Sequence, residues 1–397
     1  MRRVGVLIVL GFAVAGAVGA APADPELVEL GARIFRDASL SASGKQACAS
    51  CHDPAHAHAQ ANAAAVQPGG ANLDVPGFRA TPSLRYLNTS AFFFDKEGTP
   101  TAGFNRDGRA KDLVEQAQRP FLAPHEMANA DIAGVVAKLK ATIYAEKFRT
   151  LFGADIFGDV ELAFFAARYA LAAYESTAPE FRPFSSKFDA FLARKAMLTP
   201  QELRGFALFN RPDKGNCAAC HPSTRADNSP PLFTDYSYDN LGVPRNHAIP
   251  ATADPGYFDL GLCGPDRTDL AARTDLCGAF KVPTLRNVAT RRVFFHNGRF
   301  DSLRETIEFY VQRDTNPARW YPTNADGSVH KFDDLPLAYA GNVNTKEGPY
   351  NRKPGQAPAL SATEIDDVLA FLGTLTDGYD AATGVADPAR AVAPIAE

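Results

Sequence analysis

The stretches Cys48-Ala49-Ser50-Cys51-His52 and Cys217-Ala218-Ala219-Cys220-His221 decide the fold of this chain. Each is a C-x-x-C-H sequence, the pattern at which a c-type haem is attached. The two thiols bond to the haem vinyl groups, and the adjacent imidazole becomes an axial ligand of the iron. Chance and a zinc or redox CxxC are the alternatives, but zinc requires further Cys or His ligands at matching spacing. The sequence therefore predicts two covalently bound c-type haems, with His52 and His221 as iron ligands.

The segments that precede the two C-x-x-C-H sequences follow one plan. In residues 25–35 the apolar side chains recur at helical spacing, and Gly31 stands four residues before Phe35. A second helical pattern, which begins with a capping box, has Gly205 four residues before Phe209. Helix, Gly-x-x-x-Phe, loop and C-x-x-C-H therefore occur twice, which indicates an internal duplication.

The duplication predicts a mainly α fold of two cytochrome-c-like haem domains, loop-rich and with little β-structure. We place the N-terminal domain at residues 24–190 and the C-terminal domain at residues 191–380. The chain contains 30 Gly and 29 Pro, which favour loops between the helices. Residues 381–397 are rich in Ala and are predicted to be a disordered tail.

Each haem domain needs a later helix that closes over its haem. In the first half we expect residues 131–144 to do so, and in the second half a helix that begins with a capping box at Ser361 and Glu364. Residues 160–174 show a third helical pattern. Its large apolar side chains are predicted to lie in the core; they are Leu162, Phe165, Tyr169 and Leu171.

The N-terminus has the features of a secretory signal peptide, which we place at residues 1–20. Two arginines precede an apolar run, and small residues follow it. At about 15 residues the run is short for a membrane span. We therefore expect cleavage rather than an uncleaved anchor, and no membrane span in the mature protein. Export of a c-type cytochrome implies the periplasm.

The composition, 46% apolar and 22% charged, is typical of a globular protein. A formal net charge of −4 provides no basic patch, so no nucleic-acid partner is expected. Cys263 and Cys277 are not used by the haem sites. In an oxidising compartment they are predicted to form a disulfide, with two free thiols as the alternative.

Beyond these local patterns, the sequence resembles the bacterial di-haem cytochrome c peroxidase family and, within it, the MauG-like branch. The resemblance covers most of the chain and rests on both haem sites and five further motifs. These motifs are Thr81-Pro82-Ser83-Leu84, Asp107-Gly108-Arg109-Ala110, His125-Glu126-Met127, Thr284-Leu285-Arg286-Asn287 and Phe295-His296-Asn297-Gly298.

The resemblance implies an oxidoreductase of the cytochrome-c peroxidase type. In that family H₂O₂ is reduced at the N-terminal haem. The C-terminal haem passes on electrons that it receives from a small redox protein, which would be a cytochrome c or a cupredoxin. The sequence is also compatible with a homodimer.

The resemblance gives roles to individual residues. Glu126 matches the carboxylate that assists O–O cleavage, and Gln116 and Pro120 match two residues that line the same pocket. Tyr310 stands where MauG-like proteins place a tyrosine ligand of the C-terminal haem and other members place a methionine. A phenolate there lowers the reduction potential relative to methionine. The alternatives are an ordinary helix-flanking charge for Glu126 and an ordinary helix aromatic for Tyr310.

The N-terminal haem is predicted to be five-coordinate, because Pro68 stands where other members have a second histidine. His56 and His58 are expected at the surface or near a propionate. Guanidinium groups fit carboxylates well. The predicted partners of the haem propionates are Arg79, Arg109 and Arg286.

Two positions depart from the family pattern. Arg106 stands where the family has a tryptophan between the haems. The family also binds an interdomain Ca²⁺, and the matching positions are Ala80, Arg291 and Val293. Calcium requires oxygen ligands and is repelled by nearby cations, so the sequence leaves this site open.

Three functions follow from these observations. The leading hypothesis is a periplasmic di-haem peroxidase. The second is a MauG-like oxidase that modifies a Trp or Tyr side chain of a protein, which Tyr310 favours and Arg106 opposes. The third is a non-enzymatic di-haem electron carrier or sensor. Glu126 in a vacant haem pocket argues against the third, because a pure carrier keeps both irons six-coordinate.

Overall fold

The computed structural model describes residues 24–87 and 89–392. The predicted signal peptide and residues 393–397 of the predicted tail lie outside the described residues. None of the helices that the described residues form combines the length and the apolar character that a bilayer span requires.

The described part of the chain is mainly helical and loop-rich, as predicted. Its α-helices are α1 (Pro25–Arg36), α2 (Cys48–Cys51), α3 (Leu113–Gln116), α4 (Gln118–Leu122), α5 (Ile132–Ala141), α6 (Ala145–Phe152), α7 (Val160–Thr177), α8 (Lys187–Leu192), α9 (Pro200–Phe209), α10 (Leu303–Gln312) and α11 (Ala362–Gly373). Its strands form three antiparallel pairs, β1 (Pro68–Gly69) with β2 (Val75–Pro76), β3 (Phe93–Phe94) with β4 (Pro100–Thr101), and β5 (Tyr238–Asp239) with β6 (Phe280–Lys281).

The two predicted capping boxes are confirmed at the starts of α9 and α11. The Thr199 hydroxyl accepts a hydrogen bond from Glu202 N at 3.2 Å, and the Glu202 carboxylate accepts one from Thr199 N at 2.7 Å. Ser361 and Glu364 make the same reciprocal pair. Each box satisfies backbone donors that the first turn of a helix leaves unpaired.

Two helix crossings build the two halves of the molecule. A Cβ placed on Gly31 of α1 would lie 2.0 Å from the carbonyl oxygen of Ala170 on α7, and one on Gly205 of α9 would lie 1.9 Å from that of Asp367 on α11. Only glycine allows backbones to approach this closely. The repeated Gly-x-x-x-Phe therefore marks two equivalent crossings.

The helix that crosses α1 is α7, so the prediction that residues 131–144 close over the first haem is wrong. That segment forms α5, which ends at Ala141, and Ile143 beyond it is 94% exposed. On α7, four small residues face the core and permit the close crossing; they are Ala163, Ala166, Ala167 and Ala170.

The outer face of α7 carries the large side chains that were predicted to be core. Leu162 is 50% exposed, Phe165 is 46% exposed and Tyr169 is 41% exposed. Only Leu171 of that set is buried. The alanines take the buried face because the close approach of α1 leaves no room there for larger residues.

The apolar core divides into two clusters that follow the duplication. The first cluster ends at Phe181 and the second begins at Phe188 of α8. The Phe188 ring lies 5.5 Å from Phe233 and 5.5 Å from Phe371. The predicted boundary at residue 190 therefore falls inside α8, a few residues after the change of core.

A buried carboxylate joins the two halves. Asp377 accepts hydrogen bonds from Arg85 at 3.0 Å and from the Tyr86 hydroxyl at 2.6 Å, both in the N-terminal half. It also accepts one from Asn287 at 2.6 Å in the C-terminal half. Asp377 and Arg85 are fully buried, so this network fixes how the halves meet.

The predicted disulfide is present, whereas most of the predicted C-terminal tail packs against the rest of the chain. Cys263 and Cys277 form the predicted disulfide. The segment predicted to be disordered is ordered as far as residue 392, because Arg85 donates a hydrogen bond to the Pro388 carbonyl at 3.0 Å and Asp387 caps a short 3₁₀ turn there.

Candidate functional site: two haem pockets in one cavity

Both C-x-x-C-H sequences face a single connected cavity of ≈ 470 Å³. The first lies on α2, and the second forms a short 3₁₀ turn. In each, the backbone N–H of the histidine bonds the carbonyl of the first cysteine at 2.9 Å. The predicted residues that line this cavity are Cys48, Cys51, His52, Cys217, Cys220, His221, Gln116, Pro120, Glu126 and Tyr310.

Each predicted iron-binding imidazole is oriented through its Nδ1 atom. His52 Nδ1 lies 3.1 Å from the Pro82 carbonyl oxygen, and His221 Nδ1 lies 2.8 Å from that of Phe233. A carbonyl can only accept, so Nδ1 carries the proton and Nε2 is the atom left for iron. Burial lowers the pKa of His52 to about 4 and lowers that of His221, which keeps both imidazoles neutral, as a metal ligand must be.

The cysteine environments do not fit zinc. Burial raises the pKa of the Cys51 thiol to about 11 and those of Cys217 and Cys220 to about 12, so the thiolate is disfavoured. In residues 24–87 and 89–392, no group of three or more His, Cys, Asp or Glu side chains is placed to hold a metal ion. Thioether attachment to a haem needs neither thiolates at rest nor further protein ligands.

Half-buried cations in the cavity supply the charge complement that haem propionates need. Arg106, Lys281 and Arg291 line the cavity, and none has a carboxylate within salt-bridge distance among the described residues. Burial lowers their pKa values to about 9, about 8 and about 10 respectively. A partly desolvated cation without a counter-ion is costly, and two haems bring four carboxylates. The cavity therefore fits the two groups.

The predicted propionate partners are already paired with protein carboxylates. Arg79 binds Asp107 at 2.7 Å and Asp259 at 2.6 Å. Arg286 binds Asp189 at 2.9 Å. Arg109 likewise binds Asp107, at 2.7 Å. The cations without carboxylate partners are therefore better placed to meet the propionates than these three arginines; they are Arg106, Lys281 and Arg291.

Glu126 lies in the segment between α4 and α5, on the N-terminal side of the cavity. Among the described residues no cation is hydrogen-bonded to its carboxylate, and His125 Nε2 lies 3.6 Å from its Oε1. Burial raises its pKa above the usual value, against the opposing effects of Arg119 and Arg109. A carboxyl in this state can both accept and return a proton.

Tyr310 lies on α10, on the C-terminal side of the cavity. Its ring lies 5.6 Å from Phe295 and 6.2 Å from Tyr350. Burial raises the pKa of its hydroxyl, and nearby Cys220 adds to the effect. Tyr310 is half-buried, and within residues 24–87 and 89–392 its hydroxyl has no hydrogen-bond partner, so its role as an iron ligand stays a prediction.

The duplication extends to the segments that carry these side chains. Phe104 bridges to Ala110 in the first half, and Phe294 bridges to Phe300 in the second, across loops of the same length. Asp112 caps α3 and Ser302 caps α10, each two residues after the bridge.

This register places Pro120 and Tyr310 at equivalent positions. Pro120 stands ten residues after Ala110, and Tyr310 stands ten residues after Phe300, the last residues of the two bridges. The N-terminal pocket therefore has a side chain without a donor atom where the C-terminal pocket has a phenol.

Comparison with known proteins agrees with this geometry. A family model described as di-haem cytochrome c peroxidase matches residues 25–197. Methylamine utilization protein MauG of Paracoccus denitrificans is 39% identical over 377 residues, which cover 90% of each chain. The chain belongs to the di-haem cytochrome c peroxidase family.

Other relatives of this di-haem protein are named as peroxidases. The cytochrome c551 peroxidase of Nitrosomonas europaea is 31% identical over 291 residues, 72% of this chain and 73% of that one. The crystal structure of the diheme peroxidase BthA from Burkholderia thailandensis matches with a TM-score of 0.81 and 41% identity, over 92% of this chain and 90% of that chain. The predicted family, the mainly α fold and the two c-type haems are confirmed.

The calcium site of the di-haem peroxidase family does not fit this chain. The Ala80 carbonyl accepts hydrogen bonds from Arg106 at 2.9 and 3.1 Å. The carbonyls of Thr81 and Val293 accept hydrogen bonds from Arg291 at 2.9 and 3.3 Å. Of the predicted Ca²⁺ ligands, Ala80 has no side-chain oxygen and the Val293 carbonyl is bonded to Arg291, and two guanidinium groups lie beside the position where the ion would bind.

Sequence reasoning named two segments near the proximal histidines as motifs of this family but missed that they form a repeat and that they orient those histidines. Pro82-Ser83-Leu84-Arg85 and Pro283-Thr284-Leu285-Arg286 are a second internal repeat. The prolines supply carbonyls to His52 and His221, and Arg85 and Arg286 bind buried carboxylates. The repeated P-[ST]-L-R was a usable signal.

His58 is another residue whose place differs from the prediction. It is fully buried, its ring centroid lies 4.2 Å from that of Phe181, and its carbonyl lies 3.2 Å from His52 Nδ1. His56 is half-buried, pairs with Asp53 at 2.8 Å and lines the cavity. His58 is therefore a core residue behind the proximal ligand, not a surface side chain.

Proposed function

We propose that the protein is a periplasmic di-haem peroxidase, in which H₂O₂ takes up two electrons and two protons and gives two water molecules. The observation that carries the proposal is the contrast between Pro120 and Tyr310 at equivalent positions. Proline has no atom that can bind iron, so the N-terminal pocket keeps a coordination position for peroxide. When bound there, a haem iron with a free position supplies the site that holds peroxide and the electrons that break its O–O bond.

Glu126 is the acid–base group of this pocket. As a carboxylate it removes the proton from the peroxide oxygen nearest the iron and returns it to the outer oxygen, which then leaves as water. Its raised pKa favours both steps, because the carboxylate is basic enough to accept and the acid is weak enough to persist until transfer. Gln116 and Pro120 line the same pocket, where they restrict how peroxide can lie.

The C-terminal half receives the electrons. His221 and Tyr310 would both hold the second haem through its iron, which would leave peroxide no coordination position in this half. Electrons from a small cytochrome c or cupredoxin enter here one at a time. Relatives named as cytochrome c peroxidases support this donor class.

A MauG-like oxidase of protein Trp or Tyr side chains is the second candidate. It is favoured by the 39% identity to a protein named MauG and by Tyr310 in the C-terminal pocket. Arg106 stands against it, because a guanidinium cannot carry an electron hole between the haems as an indole can.

Stopped-flow mixing of the diferric holoprotein with H₂O₂ tests the proposal. We expect a rapid change in the haem absorption, followed by oxidation of two equivalents of reduced small cytochrome c or cupredoxin for each H₂O₂ consumed. Consumption of H₂O₂ without donor oxidation would favour the side-chain oxidase. Low-spin spectra that do not respond to H₂O₂ would leave only the electron carrier.

A further inference from the structure

The two helix crossings share one register, which allows a residue-by-residue comparison of the two haem pockets. Ala170 of α7 meets Gly31 as Asp367 of α11 meets Gly205. One turn later, the Tyr174 ring lies 5.5 Å from Phe35, and the Phe371 ring lies 5.2 Å from Phe209. Two independent contacts therefore align the cavity-lining faces of α7 and α11.

In this alignment Glu175 of the N-terminal half corresponds to Leu372 of the C-terminal half, and Leu171 corresponds to Val368. All four side chains line the cavity. Glu175 is only 8% exposed and Leu372 only 4%. The first haem pocket thus contains a carboxyl at a position where the second has an apolar side chain.

The Glu175 carboxyl has no partner within the described residues. Its Oε2 atom is buried without a hydrogen bond. Burial alone raises its pKa to about 8, and its charge in turn raises the pKa of the haem-attachment residue Cys48. The carboxyl therefore lies within electrostatic reach of the point at which the first haem is bonded.

Charged groups on the helices packed against α7 are directed elsewhere. Arg33 pairs with Glu29, and Arg36 pairs with Glu180. Lys138 donates hydrogen bonds to the Ser41 carbonyl and to Asn129, and Arg168 donates hydrogen bonds to the Val114 carbonyl and to Gln118. The Glu115 carboxylate accepts a hydrogen bond from the Lys111 N–H. The other titratable groups of the same pocket are the Cys48 and Cys51 thiols, His52, His125 and Glu126. None of them is a cation paired with Glu175.

We propose that Glu175 is a proton-exchanging carboxyl coupled to the oxidation state of the N-terminal haem. It holds a proton while that iron is ferrous and releases it when the iron loses one electron, because the added positive charge favours the carboxylate. One electron and one proton then leave together. The proposal depends on the attached haem but not on the peroxide reaction.

Redox titration of the holoprotein at a series of pH values tests this inference. Because the ferrous form keeps the higher carboxyl pKa, we expect the potential of the N-terminal haem to fall as pH rises towards about 8, by up to ~59 mV per pH unit for one proton per electron, and to level off at higher pH. In Glu175→Gln, which keeps the shape of the side chain, this dependence is lost over the same range. Glu175→Leu introduces the side chain that the equivalent Leu372 has in the second half, and the pH dependence of the potential should be lost in this variant as well. The titration has one transition for each haem. The transition that shifts in Tyr310→Met is assigned to the C-terminal haem, and the other is assigned to the N-terminal haem.

The matched control is Glu161→Gln, which removes an exposed carboxyl from the first turn of α7 and is expected to keep the wild-type dependence. Infrared difference spectra of the reduced and oxidised protein give a second readout, a protonated-carboxyl band that is absent in Glu175→Gln. Superimposable potential–pH curves for wild type and Glu175→Gln, with the same infrared bands, would overturn the proposal.

Discussion

Pro120 and Tyr310 occupy the same position in the two halves of the molecule, each ten residues after an equivalent β-bridge and each lining the cavity. The same backbone scaffold thus presents a proline ring to one side of the cavity and a phenol to the other. A single position accounts for the different roles that we propose for two otherwise similar pockets.

Replacing Tyr310 by Met should raise the reduction potential of the C-terminal haem. A phenolate donates charge that stabilises ferric iron, whereas a thioether favours the ferrous state. Spectroelectrochemistry of wild type and Tyr310→Met measures the shift. Tyr350→Phe is the control, since it alters a neighbouring phenol at 6.2 Å and should move the potential far less. An unchanged potential and spectrum in Tyr310→Met would show that Tyr310 is not a ligand.

Replacing Glu126 by Gln should slow the reaction with H₂O₂ by about 10² or more, because an amide cannot transfer the proton. In wild type the rate should rise with pH through an apparent pKa above that of an ordinary glutamate, since the carboxylate is the active form and burial raises its pKa. Stopped-flow rates at a series of pH values measure both effects. Glu97→Gln changes an exposed carboxyl and should leave the profile intact. A wild-type rate in Glu126→Gln contradicts the assigned role.

Chelation of calcium should have no effect on this protein. Arg106 and Arg291 already occupy the carbonyls of Ala80, Thr81 and Val293. Optical and EPR spectra recorded before and after treatment with EDTA, and again after addition of Ca²⁺, should coincide. A spectral change on chelation that Ca²⁺ reverses would show that the guanidinium groups move aside for the ion.

Replacing Asp377 by Ala should lower the free energy of unfolding by about 3–5 kcal/mol, because the change leaves the buried Arg85 guanidinium without its counter-ion. Denaturant unfolding of the holoprotein followed by circular dichroism measures the loss. The control is Asp301→Asn, an exposed carboxyl whose removal should cost far less. Equal stability of the two variants would mean that the network around Asp377 does not hold the halves together.

Much of the site was predictable because its chemistry is local. Haem attachment needs two thiols and an imidazole within five residues. The sequence therefore identifies both attachment sites directly, at residues 48–52 and 217–221. The capping boxes and the crossing glycines are also short patterns. Helical periodicity, in contrast, could not distinguish α5 from α7 as the closing helix, because both show apolar spacing and only the crossing at Gly31 selects one.

The amino-acid sequence by itself determined the cofactor, the duplication and the mainly α fold, because each follows from bonding or packing between residues close in the chain. Tertiary structure alone decided which cations of the cavity lack a carboxylate partner among the described residues, that Glu175 lines the same cavity as Cys48, and that Pro120 matches Tyr310. Those relations join segments separated by tens to hundreds of residues, and only the folded backbone brings them together.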